Sequence, residues 1–363
     1  NMLEPGKTPH ENTQFLLVLA CILKAVYKHA DLLRQSAADP GNDHRLGANE
    51  APPAIISVFL GEQLEDVRQQ LISTGTATHS LKGGKLETGV ATLPDLSKDA
   101  TDRNRTSPFA FTGNRFEFRM VASSNSIGDT NTVLSAMMAE AFADAIDALT
   151  GAEDLDKAVE EYTVKLMREN ERIIFNGNGY SAEWPVEAEK RGLPNCKSIV
   201  DAIPSLVADS TVKMYERFNI MSKAELEARK EIMFEQYAGV RNIEALTMID
   251  MASKMFIPSV VYYTKELADT AIAVKEAGAD ASTQIELLNA VTAKLNEAKA
   301  GLEDLKKATA KAQSIDDNQE KAESYKSEVM AAMAELRKPV DELEMIVDKE
   351  VWPVPSYGDI LFY

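Results

Sequence analysis

The chain has 363 residues, 45% of them apolar and 26% charged, so it can bury a sizeable core and has room for two structural units. Its 39 basic and 57 acidic residues leave a net charge of −18, which argues against a nucleic-acid or anionic-membrane surface; arginines that bind anions must be locally concentrated. The cysteines, Cys21 and Cys196, lack metal or redox spacing and read as buried reduced thiols, while the longest apolar run, Phe15 to Leu23, falls short of the roughly 20 residues of a membrane helix. A cytoplasmic protein without a signal peptide is the expectation.

Asn1 to His10 reads as a mid-protein loop. Phe15, Leu16, Leu19, Leu23 and Val26 then recur at helical spacing, predicting one helix from near Glu11 to Arg34 with a buried face. Arg45 and Glu50 bracket a turn, and Ala51-Pro-Pro-Ala leads into a buried strand over Ile55 to Leu60. Residues 73–101 are polar and glycine-bearing, with Lys82 and Lys85 flanking Gly83 and Gly84. Without a Walker-type ending or a strand-to-helix frame, this reads as a mobile loop rather than a phosphate cradle, close enough to Arg103 and Arg105 to act as a lid.

Asn114 to Val121 has the aromatic and β-branched content of a strand, so Arg115, Glu117 and Arg119 share one face and Phe116, Phe118 and Met120 the other. Alternate side chains on a strand lie about 6.5–7 Å apart. At that spacing two guanidiniums and a carboxylate can converge on a polyanion bearing a divalent cation, arginine for its bidentate fork and the carboxylate as a hard-metal ligand. The same pattern also suits a solvated sheet face laced by ion pairs. Ser124 to Asp129 then forms a turn, Asp129 or Thr130 caps a helix, and Leu134, Met137, Met138, Ala141, Phe142, Ala145, Ile146 and Leu149 give it a core-facing stripe.

Beyond Gly151 the chain turns helical. Asn176-Gly-Asn-Gly-Tyr180 reads as an irregular connection more readily than an anion site, and Ser222-Lys-Ala-Glu225 is a capping box opening a helix that reaches Phe256 before Pro258. Leu288, Leu295 and Leu302, interleaved with Val291, Ala298 and Leu305, form one heptad seam. Val329, Leu336 and Leu343, with Tyr325 and Ile346, form a second. Together they predict an antiparallel coiled-coil hairpin over about 282–348, bent at Pro339 and packed within one chain or between subunits. The aromatic tail from Trp352 is expected to dock.

Three ordered segments, Arg45-Leu-Gly-Ala-Asn-Glu50-Ala-Pro-Pro, Asp102-Arg-Asn-Arg-Thr-Ser-Pro and Asn114-Arg-Phe-Glu-Phe-Arg119, resemble the second half of the catalytic domain of glutamine synthetases, closest to the type III form. The resemblance runs from the first residues to about Leu149, with a weaker echo through Pro204. It implies an α+β fold, an antiparallel sheet with packed helices over 1–150, followed by a helical extension over 151–363. It also implies ligation of glutamate and ammonia with ATP and Mg²⁺ or Mn²⁺, in a double-hexamer dodecamer whose sites lie between subunits. The missing upstream half would supply further metal ligands and the nucleotide loop.

By the resemblance, Arg45 grips the glutamate carboxylate, and Glu50 is the flap residue that shields the acyl-phosphate and takes a proton from ammonium. Arg105 contacts the phosphates, Glu117 ligates a metal, and Arg119 stands beside the substrate carboxylate. The family's second phosphate-binding arginine has no counterpart, since that place is Ala110; Arg103 or Arg115 are its possible replacements. A non-catalytic helical assembly or regulatory module that keeps this domain is the alternative reading.

Overall fold

A computed structural model describes residues 1–47, 51, 53–81, 85–86, 96–97 and 104–361. It divides into two compact units, Asn1–Lys230 and Glu231–Tyr363. In chain order the first holds α1 (Thr13–Lys28), α2 (Ala30–Ser36), α3 (Pro40–Asp43), β1 (Val58–Phe59), α4 (Glu62–Thr74), β2 (Lys85–Leu86), β3 (Leu96–Ser97), β4 (Phe109–Phe111) and β5 (Phe116–Phe118). Then follow α5 (Gly128–Leu149), α6 (Leu155–Glu169), α7 (Glu183–Lys190), α8 (Ile199–Ala202) and α9 (Asp209–Arg217).

The centre of this unit is α1. Asn12 caps it by accepting a hydrogen bond from the Phe15 amide at 3.0 Å, and between Phe15 and Val26 every residue but Leu17 and Lys24 is buried. A helix apolar on all sides needs cover on all sides. It packs against α5 and α6 and, through Phe15, against Phe111 of the sheet, the ring centroids 6.0 Å apart.

The single helix expected to Arg34 is broken at His29, whose φ of −120° and ψ of 31° are not helical. Its buried ring places Nε2 2.7 Å from Glu140 Oε2 on α5, and Lys28 Nζ lies 2.8 Å from Oε1. The break turns α2 onto α5. Burial pushes the Glu140 carboxyl up, but the hydrogen bonds from His29 and Lys28 outweigh it and hold the group below its ordinary 4.5. A depressed carboxyl stabilises the fold above its unfolded pKa and ceases to do so as pH falls through the folded value. Glu140→Gln is expected to cost about 3 kcal/mol in urea unfolding at pH 7, because His29 and Lys28 lose their shared anion. The difference from the parent chain should shrink as the medium is acidified.

The sheet has the order β1-β4-β5 and is mixed, not wholly antiparallel as expected. β1 runs parallel to β4, Val58 opposite Phe109, because the chain between them crosses over through α4 instead of turning back directly. β5 is antiparallel to β4, pairing Phe109 with Phe118, Ala110 with Glu117 and Phe111 with Phe116. On the other edge Phe175 N donates to Val58 O at 2.9 Å, covering β1.

β5 is shorter than the predicted 114–121. Thr112 N donates to Arg115 O at 2.8 Å, closing a turn in which Gly113 has φ of +100°, a value that favours glycine. At the far end Met120 O accepts from Asn42 Nδ2, not from a neighbouring strand. Within the segment read as a lid loop, β2 and β3 pair antiparallel; Lys82, Gly83 and Gly84 lie outside the described residues. Neither Asp129 nor Thr130 caps α5: the N-cap is Ile127, and Thr130 Oγ1 donates instead to Ser36 O at 3.1 Å. Of the α5 stripe, Met137, Ala141 and Ala145 are buried but Ile146 is exposed.

The expected capping box opens α10 (Lys223–Met251), with Ser222 N donating to Glu225 Oε2 at 2.8 Å. The helix does not stop before Pro258. A five-residue π turn, Ala252–Phe256, leads into α11 (Ile257–Glu276), where Pro258 sits in the first turn and its missing amide costs little.

In the second unit α12 (Ser282–Gln313) is followed by α13 (Asn318–Ser324), a π turn over Tyr325–Val329 and α14 (Met330–Glu344), which continues through Pro339. α12 and α14 run antiparallel, with Lys294 bonded to Glu342 at 2.8 Å and Lys311 to Glu328 at 2.7 Å. A Cβ at Gly301 would stand 3.0 Å from Leu336 Cα, so the missing side chain lets the backbones approach. α11 adds a third helix, and Val260, Leu267, Val291, Ala298, Leu343 and Val347 form the shared core. Trp352 docks on Phe256, the ring centroids 5.2 Å apart, but α15 (Tyr357–Leu361) leaves Tyr357, Ile360 and Leu361 exposed, so the tail docks only in part. Among the described residues no helix is long and apolar enough to cross a membrane.

Candidate functional site

Of the row predicted on the strand, Glu117 lies on β5 and Arg115 and Arg119 stand just beyond its two ends. Arg119 Nη2 and Nε lie 2.9 and 3.2 Å from Glu117 Oε2, a forked contact, and Arg115 Nε lies 3.7 Å from Oε1. These contacts, Arg119 foremost, hold the Glu117 carboxyl below the usual range against a smaller opposing effect of burial. The opposite face is aromatic: Phe116 stacks on Phe109 at 5.0 Å and meets Phe111 edge-on at 5.3 Å. Anchored on that side, the strand holds its charged side chains toward the outer face.

Arg119 also donates through Nη1 to Asn104 O at 2.7 Å, tying the strand to the residue before Arg105. Asn104 is a junction. Its Oδ1 accepts from Thr106 N at 2.9 Å and from Thr106 Oγ1 at 2.6 Å, and its Nδ2 donates to Gly177 O at 2.8 Å. Gly179 N donates in turn to Thr106 Oγ1 at 2.7 Å, and Tyr180 Oη to Arg105 O at 3.4 Å. The Asn176–Tyr180 segment, read from sequence as a plain connection, is therefore the seat on which the Arg105 turn rests.

Arg45 sits in the turn after α3, exposed, with Nη1 donating to Asn42 Oδ1 at 3.2 Å. Asn42 is buried and bonds Ala37 O at 3.0 Å and Met120 O at 2.9 Å, so the Arg45 turn is fastened to the residue after Arg119. Behind it, buried Arg34 reaches Asp43 Oδ1 at 3.2 Å and Cys196 O at 3.0 Å, while Asp43 accepts from Ile199 N at 2.9 Å. Two asparagines and a buried ion pair thus hold the arginine-bearing turns.

Glu117 has its ion pairs among the described residues with Arg115 and Arg119. Arg45 and Arg105 join this centre through backbone and asparagine contacts rather than directly. Glu50 and Arg103 lie outside the described residues. Ala110, where an arginine was expected, is buried and pairs with Glu117 across the sheet. Among the described residues no three His, Cys, Asp or Glu side chains gather in a way that could hold a metal ion, so the described residues do not by themselves complete a metal site around Glu117. Cys21 is buried, its thiol pushed up to about 11 by burial, and takes no part.

Sequence reasoning passed over Asn42 and Asn104 and read the 176–180 loop as an irregular connection. Asn104-Arg-Thr106 carried a readable signal, since asparagine side chains commonly bond the backbone two residues on. Nothing local paired Gly177 and Gly179 with residues 104–106, more than seventy positions earlier.

A family model described as the glutamine synthetase C-terminal domain matches residues 158–275, a stretch in which the resemblance read from sequence was only a weaker echo, through Pro204. The chain is 38% identical over 374 aligned positions to the type-3 glutamine synthetase of Dictyostelium discoideum. It is 38% identical over 367 to the glutamine synthetase of Butyrivibrio fibrisolvens and 35% over 377 to that of Bacteroides fragilis. Each match covers 100% of this chain and 50%, 52% and 51% of those relatives, so the chain spans about half the length of the curated relatives it matches. The likeness runs past the expected Leu149 and the weaker echo through Pro204, and the ordered motifs and the family model lie together within it; over its whole length the chain is similar to about half of each of these glutamine synthetases.

Proposed function

We propose that this chain supplies part of the active site of an ATP-dependent glutamate–ammonia ligase. The rest comes from the upstream half of the protein and a neighbouring subunit of a homo-oligomer, a double-hexamer dodecamer. The observation that carries this reading is the Arg115–Glu117–Arg119 row, tied through Asn104 to the Arg105 turn, in a chain akin over its whole length to glutamine synthetases.

In this reading a γ-carboxylate oxygen of glutamate attacks the γ-phosphorus of ATP. The bond to ADP breaks, and γ-glutamyl phosphate forms. Ammonia then adds to the acyl carbon, phosphate leaves with the bonding electrons, and Glu50 takes the surplus proton. Arg45 and Arg119 hold the substrate carboxylate, and Arg105, with Arg115 and Arg103, offsets phosphate charge. Arg115 supplies the cation that Ala110 lacks, a reading supported by the pairing of Ala110 with Glu117 across the sheet and by Arg115 Nε lying 3.7 Å from the Glu117 carboxylate. Mg²⁺ or Mn²⁺, with Glu117 among its ligands, would neutralise charge on the transferring oxygens.

Residues 1–150 carry this chemistry, and 151–363 form a helical extension whose α12–α14 seams act as a coiled-coil hairpin. The test is ATP- and ammonia-dependent glutamine formation by the intact polypeptide. Glu117→Ala is expected to raise the metal concentration for half-maximal rate by about 10–100-fold. An unaltered metal dependence would remove Glu117 from the ligand set. Absence of glutamine formation by the parent protein would leave the non-catalytic helical module.

A further inference from the structure

Away from the β5 row, a cavity of about 410 Å³ opens between α4, the segment leading into the Asn176 loop, and the end of α7. Arg68, Arg172 and Arg191 line it, with Glu65 and Glu171 the acidic members, so three guanidiniums face two carboxylates in a chain whose net charge is −18.

Glu65 is already engaged. It receives Arg68 Nε at 3.0 Å, Arg68 Nη2 at 2.6 Å and Gln69 Nε2 at 2.8 Å. The other arm of Arg68 is not satisfied: the residue is 5% exposed, and its buried Nη1 has no hydrogen-bond partner. The nearest carboxylate oxygen, on exposed Glu171, is 3.7 Å away, beyond bonding reach. Leaving a buried donor of a charged group unpaired disfavours the fold, and a ligand oxygen that pairs it recovers that cost. Arg191, which also lines the cavity, is fixed, with Nε on Glu187 Oε1 at 2.9 Å, Nη1 on Ile174 O at 2.7 Å, and its guanidinium carbon 5.8 Å from the Phe175 ring centroid. Its Nη2 is spoken for by none of these contacts. Arg172 stands exposed at the rim.

We propose that this cavity is a binding site for a small oxyanion, a phosphate or carboxylate group, held by Arg68 and Arg191 with Arg172 at its mouth. Two fixed guanidiniums with donors to spare match the paired oxygens of either group. Asn176 lines the cavity and accepts from Leu60 N at 3.0 Å, and the next residues bond Asn104 and Thr106. An occupant therefore braces the loop that seats Arg105, which makes the site an effector site; this last step rests on the ligase reading.

Inorganic phosphate and, separately, succinate are titrated calorimetrically into the intact polypeptide in chloride buffer. A phosphate site is expected whose affinity falls about tenfold or more in Arg68→Gln and in Arg172→Glu, the latter an exposed substitution that spares the fold. It should survive Arg115→Met, which removes the phosphate-offsetting guanidinium that the ligase reading places at the β5 row. Competition by succinate assigns the site to carboxylates as well; phosphate binding unaffected by succinate assigns it to phosphate. Phosphate affinity unchanged in both Arg68→Gln and Arg172→Glu overturns the proposal. A site that persists while the protein makes no glutamine leaves the proposed site standing and removes the ligase reading alone.

Discussion

Arg119→Met is expected to lower kcat/KM for glutamine formation by about 10²–10³-fold, the scale of losing one preorganised donor at a charged reaction centre. The side chain sits between two things that must stay in register. It forks onto Glu117 Oε2, and it donates to the main-chain oxygen of Asn104 beside Arg105. Methionine keeps the apolar stem and removes both contacts. Glu117 then loses the neighbour that most lowers its carboxyl, so its pKa rises toward 4.5 and the acid limb of the pH–rate profile moves to higher pH. Arg119→Lys keeps the charge but not the fork and should fall between the two. The measurement is the pH profile of kcat/KM in the intact polypeptide, with urea unfolding alongside. Parent-like activity in Arg119→Met, in a folded protein, would mean that the row is a solvated ion-pair ladder and nothing more.

Gly179→Ala is expected to reduce activity by about tenfold or more and to destabilise the first unit by about 1–3 kcal/mol, the usual cost of forcing an atom into a packed site. A Cβ there would stand 2.6 Å from Thr106 O, a backbone atom that cannot rotate away. The Arg105 turn must shift to admit it. Small displacements of a positioning element can cost large factors in rate. Gly192→Ala is a local control, since nothing lies within 4 Å of its added Cβ, although its φ of +72° carries its own backbone strain. Loss of rate in Gly179→Ala without a matching loss in Gly192→Ala, both read against thermal unfolding, locates the effect at the Arg105 seat. Equal losses in both would show general destabilisation.

How much of this was legible beforehand depended on how local the cause was. The β5 row followed from a period of two over six residues, Arg115 to Met120, and the Ser222–Glu225 box from four. The heptads of α12 marked the residues that became its buried edge, but two helices, not one, came to cover them. Errors clustered where a distant group intervened. His29 breaks a helix whose periodicity was unbroken because Glu140 waits 111 positions away. β5 ends early because Asn42 takes the Met120 carbonyl, and β1 pairs in parallel because its partner arrives only after a crossover. Pro258 read as a stop because a π turn's ability to absorb it leaves no mark in composition.

The amino-acid sequence by itself determined the charge row, the apolar helices and the ordered motifs of the family, since each is written in neighbouring residues and their spacing. Only the tertiary structure decided that Asn104 and Asn42 fasten the arginine-bearing turns, that a two-glycine loop seats one of them, and that Arg68 keeps an unpaired donor in a cavity. Those facts are pairings between residues far apart in the chain. A short polar side chain or a glycine carries no sign of its partner until folding has spent the entropy of bringing the two together.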